Sequence, residues 1–299
     1  MKTLARIAIL PALILAFASP AFADDAVVYN NIPNPLPPGI VSEPYEAVQS
    51  GEFGGLIQFA GGSSSNQLIS ATVVMSNWAY ASEYPDDSAN AANYADGTYT
   101  ASGFNVPLTL NLYGVVPGTN AVGGLIDSDT VVAFIPWRSE PNPASCAPGS
   151  NNDYLGSDGN CYAESTSTVV FNLTGAVVPN EIIYGLAMNT SDYGTNPTGV
   201  PGPYDSLNIG LSTTLPSVGS EPLPDTAYWE TSTAGWYTDE GAGGVGTFRQ
   251  DTGWTGYAGA IEFTATPEPS SLLLIGTGFL AFAFVLFRKA KLFHLPTNR

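Results

Sequence analysis

Between residues 46 and 265 the chain keeps returning to one pattern. A short run of leucine, β-branched or aromatic residues is followed by a cluster of Gly, Pro, Asn or Ser that breaks it. The clearest run, Pro107 to Val116, alternates Leu108, Leu110 and Leu112 against Thr109, Asn111 and Tyr113. That period of two suits a sheet with one buried face and one solvated face. Leu68 to Met75 alternates in part, which predicts Ile69, Ala71, Val73 and Met75 on one face. Further strands are expected at Leu56 to Phe59, Thr130 to Pro136, Thr168 to Leu173, Ile182 to Met188, Leu207 to Leu211 and Ala258 to Ala265, with a turn around Pro179 and Asn180. No stretch carries the i, i+3, i+4, i+7 apolar spacing of a helix. The expected fold is therefore all-β, a single sandwich or jelly-roll-like domain over 46–265. The 32 glycines and 24 prolines have no fixed period and serve turns. No repeat and no linker-like shift in composition divides the body.

Both ends depart from this pattern. Lys2 and Arg6 precede an apolar run from Ile7 to Phe17 and the small-residue sequence Ala21-Phe22-Ala23. Residues 1–23 are expected to be a secretory signal peptide cut after Ala23 by signal peptidase, following general export. Residues 24–45 contain Pro33, Pro35, Pro37 and Pro38, which lack backbone donors, so an extended lead-in is expected there rather than an interior strand.

Of eight Lys and Arg residues, only Arg138 and Arg249 lie between 24 and 266, against 25 carboxylates, a net charge of −23. Such a body repels nucleic acid, whose binding depends on neutralising phosphates. Cys146 and Cys161 are the only cysteines, and an even count in an exported body predicts one disulfide. His294, the only histidine, lies near the C-terminus. The body thus lacks His and Lys, which removes Ser–His–Asp, Cys–His, Ser–Lys and His-ligated metal chemistry. The expectation is that the chain is not an enzyme. The surviving catalytic alternative is a pair of carboxylates acting on glycans, drawn from Glu230, Asp239, Glu240 and Asp251. A binding alternative sets Trp229, Trp236, Tyr237 and Trp254 as a stacking platform for extracellular polysaccharide, with core filling as the plainer role of those rings. No metal is expected; Asp153 and Asp158, in an Asn- and Asp-rich stretch, are weak calcium candidates that equally suit turns. The two arginines are expected to pair with carboxylates, Arg138 with Glu140 and Arg249 with Asp251.

The tail reads Pro267-Glu268-Pro269-Ser270-Ser271, then an apolar run to Phe287, then Arg288, Lys289 and Lys291. The uncharged stretch of about 17 residues, at roughly 1.5 Å each, spans roughly 26 Å, the lower limit for a membrane helix. The basic cluster suits the cytoplasmic side, leaving 292–299 as a cytoplasmic tail and the body outside. Over 266–291 this order of elements resembles the PEP-CTERM sorting signal, also called the ice-binding protein C-terminal domain. The resemblance implies handling near Pro267-Glu268-Pro269 by an exosortase, a membrane-embedded cysteine transpeptidase, with a transient membrane anchor and delivery to the cell surface or exopolysaccharide matrix. Leu292 to Arg299 extends beyond the usual end of that signal. The body also resembles a family of secreted bacterial β-domains of unassigned function, in Ile135 to Arg138, Ile183 to Thr190 and Gly202 to Asn208. That likeness implies a shared fold and no activity. An adhesive or matrix-structural role follows from the implied destination.

Overall fold

The computed structural model describes residues 25–84, 99–146, 152–189, 202–239 and 243–266, together with 278 and 282–285 in the tail. Residues Asp25–Ala265 form one compact unit. Residue 278 and residues 282–285 are helical. The expected signal peptide, the sorting residues Pro267, Glu268, Pro269, Arg288, Lys289 and Lys291, and most of the expected span lie outside the described residues. Among those described, no helix is long and apolar enough to cross a membrane.

The body is built almost entirely of antiparallel strands. One sheet has the order β1 (Ala26–Asn30), β17 (Ile261–Thr266), β4 (Ser65–Asn77), β13 (Leu207–Ser212), β16 (Ala258–Gly259). Onto it pair β10 (Ser165–Asn172) and β11 (Val177–Pro179) at β4, and β2 (Ser42–Glu43) at β13. The other has the order β15 (Arg249–Thr252), β14 (Thr226–Thr231), β3 (Ser50–Gln58), β12 (Glu181–Ala187), β6 (Gly103–Val115), β5 (Tyr99–Thr100), with β7 (Val122–Pro136) also on β6. A separate hairpin joins β8 (Tyr154–Leu155) to β9 (Cys161–Tyr162). A single helical turn, α1 (Tyr45–Val48), precedes β3.

Alternating residues of both sheets meet in one core. Leu108, Leu110 and Leu112 are wholly buried, as their spacing predicts, beside Phe53, Leu186 and Trp229. The first sheet contributes Val73, Met75, Ile209 and Phe263. Tyr184 of β12 packs edge-on against Phe263 of β17 and donates its hydroxyl to the Gly259 carbonyl at 3.0 Å. That bond satisfies a phenol which would be costly to bury alone.

Four details differ from the sequence reading. Residues 26–30 form a paired strand at the end of the first sheet's strand order, because the prolines of the lead-in begin only after it. In β4, Leu68 rather than Ile69 joins the core with Ala71, Val73 and Met75. Its partner changes there from β10 to β11, so the alternation skips phase. Strand β7 begins eight residues before Thr130, its early part obscured by Gly123, Gly124, Asp127 and Asp129. The strands around Thr168 and Ile182 belong to different sheets, with β11 between them, so the turn at Pro179 and Asn180 carries the chain from one sheet to the other.

Candidate functional site

The aromatic last quarter is organised around one carboxylate. On β15 the register sets Arg249 opposite Trp229 and Asp251 opposite Ala227. Asp251, buried, accepts the indole N–H of Trp229 and of Trp254, each at 3.1 Å. Its other oxygen accepts the backbone N–H and hydroxyl of Thr238 at 2.9 and 2.8 Å. Arg249 forms an ion pair with Asp239 and lies 3.7 Å over the Tyr237 ring. Asp239, not Asp251, is therefore the partner of Arg249.

The four rings expected as a stacking platform separate by depth. Trp229 and Tyr237 are buried and Trp254 is partly buried, while Trp236 on a 3-10 turn is 50% exposed. Trp229 meets Trp254 at 77° and Tyr237 at 63°, edge contacts that fill a core. No coplanar exposed pair is made by these rings.

Arg138 also differs from expectation. Its Nε donates to the Trp78 carbonyl and its Nη1 to the Asn152 carbonyl, both at 2.6 Å, and it lies 4.5 Å over Tyr80. Glu140 instead accepts from Ser82, at 3.0 Å from the backbone and 2.7 Å from the hydroxyl. Burial lowers the Arg138 pKa from its usual value. One of these carbonyls, that of Asn152, lies in the loop closed by Cys146 and Cys161, which are disulfide-bonded as expected. Asp158 turns back into that loop, accepting from Tyr162 at 2.6 Å and from Asn160, and the Tyr162 bond holds its pKa below the usual range. Among the described residues no group of three or more His, Cys, Asp or Glu could hold a metal ion.

One arrangement was missed by the sequence reading. Glu52 and Glu230 lie opposite each other on β3 and β14, with Glu52 buried. Glu52 accepts from Asn111 at 2.9 Å and Tyr113 at 3.0 Å, across the bare backbone of Gly185. Burial raises both carboxyl pKa values, while the Asn111 and Tyr113 bonds pull Glu52 back down. Alternation predicts Asn111 and Tyr113 on the solvated face, and gives no sign of a carboxylate from another strand.

Where the body's last strand ends, residues 265–289 match the family model of the PEP-CTERM protein-sorting motif. The chain carries this sorting motif. The motif implies an exported protein processed by an exosortase and sorted to the cell envelope or surface. No curated protein and no solved structure matches the chain.

Proposed function

We propose that residues 25–265 are a non-enzymatic β cargo, displayed beyond the cytoplasmic membrane with an adhesive or matrix-structural role, and that the tail is a transient anchor removed or transferred by an exosortase-type transpeptidase. The observation that carries this reading is the joint between body and motif. Strand β17 ends at Thr266, so a cut at residues 267–269 removes no paired strand from the body. The absence of His and Lys from the body, with both cysteines in a disulfide, supports a non-catalytic cargo. The test compares the mass of the mature protein from wild-type cells with that from a Glu268→Ala strain. A tail lost only from the wild type supports the reading; equal retention of the tail in both overturns it.

A second reading is a glycan-acting enzyme using two carboxylates, favoured by the facing pair Glu52 and Glu230. Polysaccharide turnover by the purified full chain that disappears in Glu230→Gln would establish it. Binding without turnover would leave a carbohydrate-binding module.

A further inference from the structure

A cleft of about 190 Å³ opens between the loop at Glu221 to Asp225, the turn at Thr255 to Ala258, and Ser212 to Leu215. Its one aromatic wall is Tyr257, 44% exposed. Tyr257 closes a tight turn by donating its backbone N–H to the Trp254 carbonyl at 2.9 Å, and Gly256 there has φ 78°, a left-handed conformation natural to glycine. The turn is pinned below by the bond from Trp254 to Asp251 and by the edge contact of Trp254 with Phe53. The facing loop is stitched to it, since the Asp225 carbonyl accepts the N–H groups of Gly253 and Trp254, both at 3.1 Å. The turn that carries Tyr257 and the facing loop are thus held before any ligand arrives.

Glu221 is held more firmly still. Its Oε1 accepts the hydroxyl of Tyr29 at 2.7 Å and the amide of Asn31 at 3.2 Å, and both donors are buried. Oε2 accepts no hydrogen bond among the described residues. The cleft therefore presents a fixed carboxylate with an open oxygen, a second carboxylate at Asp225, threonine hydroxyls and a half-exposed ring, with no cation in its lining.

We infer that this cleft binds one amino-sugar unit of a cationic glycan, its ring against Tyr257 and its ammonium against Glu221 and Asp225. Size argues for a single unit, because pockets that enclose a drug-sized ligand run from about 300 Å³ upward. Charge argues for a cation: two carboxylates are unbalanced locally, and the body around them carries −23. The exposed tyrosine argues for a ring bearing that cation, since an aromatic face attracts ammonium and gives an apolar stacking surface. The proposal goes beyond the sorting reading and does not depend on it, because ligand binding and tail processing are measured separately.

The experiment is calorimetric titration of the full chain in detergent, at physiological salt, with a glucosamine tetramer, its N-acetylated counterpart, tetralysine and calcium chloride. The expected result is binding of the glucosamine tetramer at least tenfold tighter than of the other three. Glu221→Gln keeps an oxygen for Tyr29 and Asn31 but loses the charge, and should weaken that binding at least tenfold. Tyr257→Ala should do the same with an unchanged melting temperature. Equal binding of tetralysine, or no loss in Tyr257→Ala, overturns the sugar assignment. Equal binding of the acetylated tetramer overturns the ammonium contact, and a preference for calcium overturns the proposal as a whole.

Discussion

The carboxylate of Asp251 and the indole N–H of Trp229 meet at 3.1 Å inside the second sheet, and Trp254 reaches the same oxygen at the same distance. Two large rings are thereby fixed edge-on by one buried acid. Removing that acid leaves both indole donors and the Thr238 N–H without an acceptor. The Trp229 donor is buried and costs about 1–3 kcal/mol when orphaned, whereas the partly buried Trp254 and the exposed Thr238 can turn in part to water. Asp251→Ala is therefore expected to lower the stability of the chain by about 2–3 kcal/mol in urea denaturation followed by tryptophan fluorescence. Asp251→Asn keeps one acceptor but turns an NH₂ toward donors, so it should lie between wild type and alanine. A neutral Asp251→Ala would show that the rings hold themselves by packing alone.

This relationship marks the limit of what was legible in the chain. Trp229, Trp254 and Asp251 could each be singled out from the sequence, but sequence spacing gave no depth. The alternation along β14 points Trp229 inward only once β3 and β15 are known to flank it. The strand class was readable because Leu108, Leu110 and Leu112 obey a local rule. Sheet membership was not, since β10 and β12 part company across a stretch that looks like a turn. Glu52 escaped for the same reason: its partners Asn111 and Tyr113 lie about sixty residues away on a strand two places over.

Glu43 carries a pH dependence of stability. Its carboxyl, buried on β2, is pushed by loss of hydration up to about 7, against 4.5 for a free glutamate. The folded chain then holds a proton that the unfolded chain releases, and stability falls as pH rises between those two values. The fall from this group is about 3 kcal/mol, complete above pH 7. Glu52 and Glu230, also raised by burial, act in the same direction. Glu43→Gln should flatten the slope between pH 5 and 8 and raise the melting temperature at pH 8. An unchanged slope in that variant would mean that Glu43 finds solvent or a cation.

Arg138 and the disulfide act on the same loop, so their effects should couple. Closing a loop of about 16 residues contributes roughly 3 kcal/mol in the chain-entropy account. Arg138 ties the loop to the sheets through the Asn152 and Trp78 carbonyls. Lysine has one ammonium in place of the planar fork and cannot reach both carbonyls while lying over Tyr80. Arg138→Lys is expected to cost about 2 kcal/mol, from lost charge-assisted bonds. Replacing Cys146 and Cys161 together by serine should cost about 3 kcal/mol. In a double-mutant cycle the combined loss should be smaller than the sum, because an open loop no longer presents Asn152 to the guanidinium. Strict additivity would show that Arg138 anchors Trp78 and Tyr80 independently of the loop.

Three glycines in the second sheet should rank by what an added methyl group meets. At Gly54 of β3 it would collide with the Tyr184 carbonyl of the adjoining strand, and backbone in the middle of a sheet has nowhere to move. At Gly185 of β12 it would meet the carboxylate end of Glu52, which can swing away but would surrender Asn111 and Tyr113. At Gly124 of β7 nothing lies within 4 Å. Gly54→Ala is thus expected to cost about 3 kcal/mol or more by overpacking. Gly185→Ala should cost about 1–2 kcal/mol through the two lost hydrogen bonds. Gly124→Ala should stay within about 0.5 kcal/mol of wild type or gain slightly, since alanine restricts the unfolded chain. Thermal melts of the three variants at pH 7 measure the order. A Gly54→Ala protein as stable as Gly124→Ala would contradict the β3–β12 register on which the placement of Glu52 depends.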